Sequence, residues 1–180
     1  MNNVLIGNAW VFTGLLDIDF DICPYNLGRD LRADTPEALS QYCMVNIDPE
    51  FPRKVHKGDF IVAGENMGYG HDHDHACLSM LGAGVAAVLC ESAAPYFLRN
   101  SIEHGLPVIE LPGVLEKVRQ GDTLQIDLTV GTVSNQRSGE TLRFMPPPDF
   151  ILEMLRSGGV YALLTRLAQE GHLPKRRMQA

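Results

Sequence analysis

Three histidines alternate with two aspartates in the middle of this chain, directly after a glycine-rich turn. The segment over residues 64–76 reads Gly-Glu-Asn-Met-Gly-Tyr-Gly-His-Asp-His-Asp-His-Ala. Imidazole exchanges a proton near neutral pH, and it is also a common ligand of first-row metals. If the segment is extended, its period of two places His71, His73 and His75 on one side. The pattern therefore indicates proton transfer, anion binding or metal binding.

A strand and a helix are predicted on either side of this segment and would hold it in place. Residues 59–63 form a short apolar run, and residues 76–87 are rich in small and apolar residues. Loops between a strand and a helix present backbone N–H groups at the helix N-terminus, which favours bound anions. Gly64, Gly68 and Gly70 suit such a loop, since close approach of the backbone requires the absence of a Cβ.

The N-terminal third predicts further elements around that unit. An apolar run over residues 4–13 predicts the first strand, and the alternation of aspartates with apolar residues over 17–22 predicts a strand or strand end. Residues 23–32 contain proline, asparagine and glycine and are predicted to form a loop. A capping residue followed by proline predicts a helix from residue 34 to about residue 44.

Strands and helices alternate in the centre of the chain. Strands are predicted at residues 85–89 and 106–111, with a helix at residues 93–104 between them. This order is typical of parallel strands with right-handed crossovers. Beyond it, the alternation over residues 123–128 predicts another strand, and residues 132–144 predict a hairpin.

The predicted fold class is α/β, with a mixed, largely parallel central sheet and flanking helices. An amphipathic helix is predicted over residues 149–169, interrupted at Gly158 and Gly159. One domain is expected over residues 1–170, with this helix packed on it, followed by a basic tail over residues 171–180.

Charge and composition exclude several classes of protein. The net charge of −7 and the pI near 5.3 leave no basic surface for nucleic acid. No apolar stretch approaches the roughly 20 residues of a membrane span, and the N-terminus lacks a signal-peptide pattern. The four cysteines are scattered without CxxC spacing, which indicates neither a disulfide framework nor a zinc knuckle. A cytoplasmic location without a membrane partner is therefore expected.

Several motifs occur in a fixed order along the chain: Gly-Asn-Ala-Trp-Val-Phe at 7–12, Asp-Ile-Asp-Phe-Asp at 17–21, Leu-Gly-Arg-Asp-Leu at 27–31, Gly-Asp-Phe-Ile-Val-Ala-Gly-Glu-Asn-Met-Gly at 58–68, and Asn-Ser-Ile-Glu-His-Gly-Leu-Pro at 100–107. Together they resemble the small subunits of the isopropylmalate isomerase (3-isopropylmalate dehydratase) family, in the aconitase superfamily of hydro-lyases. Each motif is weak alone, but their order over some 150 positions is specific.

The resemblance implies an aconitase-type swivelling β/β/α domain that is active only with a large subunit. That partner would carry a [4Fe–4S] cluster, whose iron without a cysteine ligand acts as a Lewis acid on a hydroxy acid. The small subunit would close over the cluster and supply residues for proton transfer and for substrate carboxylates. No cofactor is expected in this chain itself, and the substrate is expected to be a hydroxy di- or tricarboxylic acid. Self-association of the isolated chain stays open.

The glycine turn departs from the family pattern, which reads Gly-Cys-Gly-Ser-Ser-Arg-Glu-His-Ala. The replacements are Tyr69 for the cysteine, His71 and Asp72 for the two serines, His73 for the arginine and Asp74 for the glutamate. The family's proposed serine base and its two-pronged guanidinium clamp are therefore both absent. A substrate other than isopropylmalate is expected.

His71 is the predicted base, because an imidazole is a better intrinsic base at neutral pH than a serine hydroxyl. Asp72 or Asp74 is expected to orient an imidazole. His73 and Asp21 are the other predicted catalytic residues.

The predicted substrate-binding residues are Arg29, as a carboxylate clamp implied by the family motif, together with Gly70, Asp72 and His75. Asp17 and Asp19 are expected to serve as turn and capping residues. Two alternatives stay open. In the first, the chain is a non-catalytic protein that binds a metal or an anion on the same fold. In the second, the histidine segment only begins a helix, and His75 is a structural residue.

Overall fold

A seven-stranded mixed sheet forms the centre of the molecule. The structure is a computed structural model that describes residues 3–30 and 35–172, without the side chains of residues 28–30. The strands are β1 (Val4–Phe12), β2 (Phe60–Ala63), β3 (Ala87–Cys90), β4 (Val108–Glu110), β5 (Thr123–Asp127), β6 (Thr132–Asn135) and β7 (Thr141–Arg143).

The strand order is β4-β3-β2-β1-β5-β6-β7, and β1 joins two halves of different type. On one side β1, β2, β3 and β4 pair in parallel, beginning with Ala9 opposite Phe60. On the other side β1, β5, β6 and β7 pair antiparallel, beginning with Val4 opposite Asp127. The predicted mixed α/β class is confirmed, with three parallel and three antiparallel pairings.

Short helices connect the strands and cover the sheet. They are α1 (Tyr25–Asp30), α2 (Pro36–Leu39), α3 (Phe51–Lys54), α4 (His75–Ala83), α5 (Pro95–Glu103), α6 (Val114–Lys117), α7 (Asp149–Ser157) and α8 (Val160–Gln169). The helix predicted from residue 76 is confirmed as α4, although it ends at Ala83 because Ala87 begins β3. The helix predicted at residues 93–104 and the interruption of the last helix at two glycines are also confirmed. No helix of the described residues is long and apolar enough to cross a membrane.

The strand predicted over residues 17–22 is wrong, because Ile18–Ile22 forms a π-helical turn. The Asp17 carboxylate accepts hydrogen bonds from the N–H groups of Asp19 and Phe20, at 2.7 and 2.9 Å, and so caps the turn. Ile18 and Ile22 both point into the core, whereas Phe20 is exposed. Burial therefore follows the four-residue helical spacing and not the period of two.

Two neighbouring predictions are also corrected. Residues 23–32, predicted as a loop, contain α1, and the single helix predicted to reach residue 44 divides into α2 and a 3₁₀ turn at Ser40–Tyr42. Thr35 caps α2 by accepting the N–H of Ala38 at 3.3 Å. The basic segment at residues 175–177 lies outside the described residues.

The parallel strands lie at the centre of the core. All four residues of β2 and all four of β3 are buried, as expected for parallel strands covered on both faces. On one face Ile61 and Val88 pack with Met80 of α4. On the other face Phe60 packs in a cluster with Leu152 of α7. The turn that follows β2 is therefore held between a rigid strand and a packed helix.

A buried carboxylate fixes the antiparallel half. Asp122 is almost fully buried and accepts hydrogen bonds from Asn135 Nδ2 at 2.7 Å and from Arg137 Nη2 at 2.9 Å. Arg137 Nε also donates to it. The hydrogen bonds from the Arg137 guanidinium, partly opposed by burial, hold the pKa of the Asp122 carboxyl well below its usual range.

Asp122→Asn is expected to lower the free energy of unfolding by about 1–3 kcal/mol at pH 7, because it removes the charge paired with Arg137. The folded-state pKa is depressed, so this contribution is complete above the ordinary aspartate pKa of about 3.9. It is lost as the pH falls through the folded-state value. Urea unfolding at pH 7 and in acid tests this, since the difference between the two proteins should narrow in acid. Glu140→Gln, at an exposed pair with Lys117, is the control and should change little.

Candidate active site

Three imidazoles converge on the carboxylate of Asp19. His71 Nδ1 lies 2.6 Å from Asp19 Oδ2, and His73 Nδ1 lies 2.8 Å from Asp19 Oδ1. His75 Nε2 lies 3.2 Å from the same Oδ1. The structure thus brings the three histidines together on one side of the segment, as their period of two indicates.

Backbone hydrogen bonds join the histidine segment to the turn that carries Asp19. The N–H of Gly68 donates to the carbonyl of Leu16 at 3.0 Å, and the N–H of Ile18 donates to the carbonyl of Tyr69 at 2.9 Å. The segment leaves β2 at Ala63 and enters α4 at His75. The carboxylate and the imidazoles are therefore positioned by main-chain contacts on both sides of the site.

A stack of rings sets the orientation of the imidazoles. The Tyr25 ring of α1 stacks on His73 with centroids 5.0 Å apart and an interplanar angle of 13°. The His71 ring also stacks on His73, with centroids 5.5 Å apart and an interplanar angle of 19°. His73 and His75 are tilted by 47° with centroids 5.4 Å apart. This stacking keeps one nitrogen of each imidazole directed toward Asp19.

Exposure decreases along the segment. The exposed fraction of the side chain is 76% for His71, 38% for His73 and 14% for His75. Burial lowers the pKa of His75, although Asp19 and the Cys23 carbonyl oppose this shift. His75 is therefore neutral at pH 7, and its Nε2 contacts the Cys23 carbonyl oxygen at 2.9 Å.

Asp19 is the charged centre of the site. Burial alone would raise its pKa, but the hydrogen bonds from His73 and His71 outweigh burial and hold the pKa below its ordinary value. Because an ionised carboxylate only accepts hydrogen bonds, a neutral His71 presents its Nδ1 proton to Asp19. Its Nε2 then carries a lone pair on the exposed edge of the ring, which is the arrangement of a general base.

The other predicted aspartates make different contacts. Asp21 Oδ2 accepts the backbone N–H of Asp17 at 2.8 Å, so Asp21 closes the π-helical turn. Asp74 pairs with His104 at 3.2 Å, and the carbonyl of Asp72 accepts a hydrogen bond from Asn100 at 3.1 Å. The carboxylate in contact with His71 is therefore Asp19, whereas the carboxylate of Asp74 contacts a different imidazole, that of His104.

The predicted substrate-binding residues are only partly described. The side chain of Arg29 and residues 31–34 lie outside the described part of the structure. Gly70 lies directly before His71, with a φ of +117°, and a Cβ there would come 2.8 Å from Asp17 Oδ2. Gly70 therefore allows the histidine segment to pass close to the aspartate turn.

Sequence reasoning assigned Asp19 to a turn or cap and passed over Tyr25. Asp17 does cap the turn as expected, but Asp19 contacts imidazoles. The four-residue spacing of Ile18 and Ile22 could have predicted a helical turn here. In a helical turn the side chains of Asp17, Asp19 and Asp21 point in different directions, whereas in a strand they would point to the same face.

Metal-ligand geometry is found at one group among the described residues. The ligand atoms of Asp19, His73 and His75 all lie within 4.8 Å of one another. No cysteine belongs to such a group in the described ranges. Burial raises the thiol pKa of Cys23 to about 11 and those of Cys77 and Cys90 to about 12. The cysteines therefore do not fit an iron–sulfur cluster, which requires thiolates that share one site.

Comparison with known proteins shows which family the chain resembles. The family model for the aconitase C-terminal domain matches residues 27–113. The isopropylmalate/citramalate isomerase small subunit of Methanocaldococcus jannaschii is 41% identical over 170 residues, covering 94% of this chain and 99% of that one. The 3-isopropylmalate dehydratase small subunit 1 of Methanopyrus kandleri is 42% identical over 166 residues, covering 92% and 95%.

A solved structure agrees with these sequences. The crystal structure of 3-isopropylmalate dehydratase from Methanocaldococcus jannaschii matches with a TM-score of 0.83 and 33% identity, covering 94% of this chain and 99% of that chain. The sheet order and the loop after β2 thus define an α/β domain of the aconitase C-terminal class. More particularly, the chain belongs to the family of 3-isopropylmalate dehydratase small subunits, which are hydro-lyase subunits. The predicted resemblance and enzyme class are confirmed.

Proposed function

We propose that this chain is the small subunit of a two-subunit hydro-lyase acting on a small hydroxy di- or tricarboxylic acid, with His71 as its base. The observation that carries this proposal is the contact between His71 Nδ1 and Asp19 Oδ2, at 2.6 Å, on the loop after β2. This contact fixes the ring and leaves Nε2 exposed on the face where a substrate and a partner subunit can approach.

In the proposed reaction, His71 Nε2 takes the proton from the carbon beside a substrate carboxylate. The electron pair of that C–H bond enters the new C=C bond, while the hydroxyl of the neighbouring carbon takes up a proton from the solvent and leaves as water. The imidazolium formed lies against the Asp19 carboxylate, which stabilises its charge. In the hydration direction the same nitrogen returns the proton to carbon.

The substrate is proposed to differ from isopropylmalate. Residues 14–28 and 64–76 contain no lysine or arginine, so these two segments offer an acid imidazoles and neutral donors but no permanently charged side chain. His73 is proposed as a second proton-transfer residue and His75 as a substrate-binding residue. An imidazole carries charge only when it is protonated, so it does not replace a guanidinium clamp.

Four predicted residues keep a proposed role in binding or catalysis. Gly70 and Asp72 flank His71 and are proposed to contact the substrate. Arg29 remains the proposed clamp for a carboxylate. Asp21 is proposed to act through the turn, because it holds the backbone N–H of Asp17 and thereby the loop that presents Asp19.

The large subunit is proposed to hold a [4Fe–4S] cluster, and this chain to hold none. The relatives are named small subunits, which implies a large partner. The buried thiols of this chain, with their raised pKa values, support a cluster outside it. Cysteines that remain free also support the proposed location in a reducing cytoplasm.

Co-expression with a candidate cluster-bearing large subunit tests the proposal. The expected result is a stable complex that contains iron and dehydrates a hydroxy acid other than isopropylmalate better than isopropylmalate itself. Isopropylmalate as the best substrate would refute the proposed difference in substrate. A chain that binds zinc stoichiometrically and pairs with no such subunit would support the non-catalytic alternative and refute the enzyme-subunit proposal.

A further inference from the structure

We propose that Asp19, His73 and His75 form a binding site for a first-row divalent cation of the zinc type. Two imidazoles and one carboxylate are a ligand set that binds such ions while leaving coordination positions open. The three residues come from two segments more than 50 positions apart, namely the π-helical turn and the histidine segment, so the fold itself builds the group.

The spacing of the ligand atoms fits one ion. Asp19 Oδ1 lies 2.8 Å from His73 Nδ1 and 3.2 Å from His75 Nε2. With bonds of about 2.0–2.1 Å to zinc, neighbouring ligands in a tetrahedron lie about 3.4 Å apart. All three atoms lie within 4.8 Å of one another, so binding requires the two imidazoles to turn toward a common point beside Asp19 Oδ1.

The two oxygens of Asp19 have different neighbours. Oδ1 faces His73 and His75, whereas Oδ2 faces His71 at 2.6 Å. An ion on Oδ1 thus leaves the contact that orients His71 in place. The same carboxylate can therefore hold a cation on one oxygen and position the base with the other.

Neighbouring groups hold the ligands in place, as metal sites require. The stacked Tyr25 ring fixes the plane of His73. The backbone N–H of Asp19 donates to the Asp17 carboxylate at 2.7 Å, which anchors the turn. His75 Nε2 donates its proton to the Cys23 carbonyl oxygen at 2.9 Å, so ion binding breaks this contact and the proton moves to Nδ1 through the solvent.

Charge also favours a cation. The segments 14–28 and 64–76 carry six acidic side chains and neither lysine nor arginine. Within these two segments a substrate carboxylate meets negative charge, and Arg29, the proposed clamp, is the nearest cation in sequence. A divalent ion with three protein ligands adds positive charge and keeps positions for a substrate carboxylate. With the ion bound, His75 acts on the substrate through the ion, and His73 transfers protons through its other ring nitrogen, Nε2. This role rests on the function proposed above, whereas ion binding itself does not.

Zinc titration of the full, tag-free 180-residue chain tests the site. Isothermal titration calorimetry is expected to show one Zn²⁺ per chain, and X-ray absorption to show nitrogen and oxygen ligands with two imidazoles. Asp19→Asn and His73→Ala are each expected to weaken binding on the order of 100-fold. His73 is partly exposed, so its variant should keep the fold, which circular dichroism verifies.

His56→Ala is the matched control, because His56 is an exposed imidazole near a different carboxylate, Asp59. It should bind zinc like the unmodified chain. Absence of stoichiometric zinc binding, or equal binding by the Asp19→Asn and His73→Ala variants and the parent, would overturn the site. Pairing with a cluster-bearing subunit is measured separately, so a failed zinc site and a failed enzyme-subunit proposal give different results.

Discussion

His71→Ala is expected to lower the turnover of the assembled enzyme by about 10²–10⁴-fold, the range typical of a lost general base. The affinity for the large subunit should remain, because this variant removes an exposed ring and leaves Asp19 with two other imidazoles. Steady-state kinetics of the complex with its best acid substrate, together with a pull-down of the two subunits, measures both quantities.

The matched control for this experiment is again His56→Ala, which removes an exposed imidazole on a different part of the surface. Its turnover should equal that of the parent complex. If His71→Ala retained full turnover, the base would have to be another group. A loss of complex formation in the same variant would instead assign His71 to the subunit interface.

Gly68→Ala is expected to lower the free energy of unfolding by about 3 kcal/mol. Gly68 has a φ of +75°, and a Cβ there would lie 2.2 Å from Cγ of the buried Phe97 ring. The left-handed backbone costs an L-residue about 1–2 kcal/mol, and overpacking of a core side chain costs about 1–3 kcal/mol. Phe97 lies on α5 in the core and has little room to retreat.

Gly139→Ala separates the two causes in this experiment. Gly139 has nearly the same φ, +74°, but a Cβ there meets no atom within 4 Å. Its alanine variant should lose only the backbone contribution of about 1–2 kcal/mol. Chemical denaturation of both variants provides the comparison. Equal losses in the two would show that Phe97 yields without cost and that the loop tolerates a side chain at residue 68.

Local patterns were sufficient to predict most of the sheet. The buried strands β2 and β3 are apolar runs beside helices with clear ends, and such signals do not depend on distant residues. The turn at residues 17–22 was mispredicted because three alternating aspartates fit a strand as well as a capped helical turn. Only the contacts of Ile18 and Ile22 with the core distinguish the two.

The site was predicted in part for a similar reason. The histidines were found because their types and spacing are local properties of one segment. Their carboxylate partner was missed, since Asp19 lies 52 residues before His71 and only the folded chain brings them together. Asp72 and Asp74 are adjacent in sequence to the histidines, but the Asp74 carboxylate contacts His104, and Asn100 binds the backbone carbonyl of Asp72.

The gradient of exposure along the three histidines has a consequence for regulation. In the lone subunit the His71 ring is largely exposed to water, while the His75 ring is mostly buried. Docking of the proposed large subunit over this face would bury the exposed His71 ring, together with the exposed ring of Phe20, the residue after Asp19. His71 would then be shielded from water only in the assembled enzyme. An unpaired subunit would carry the proposed catalytic groups but would not catalyse side reactions.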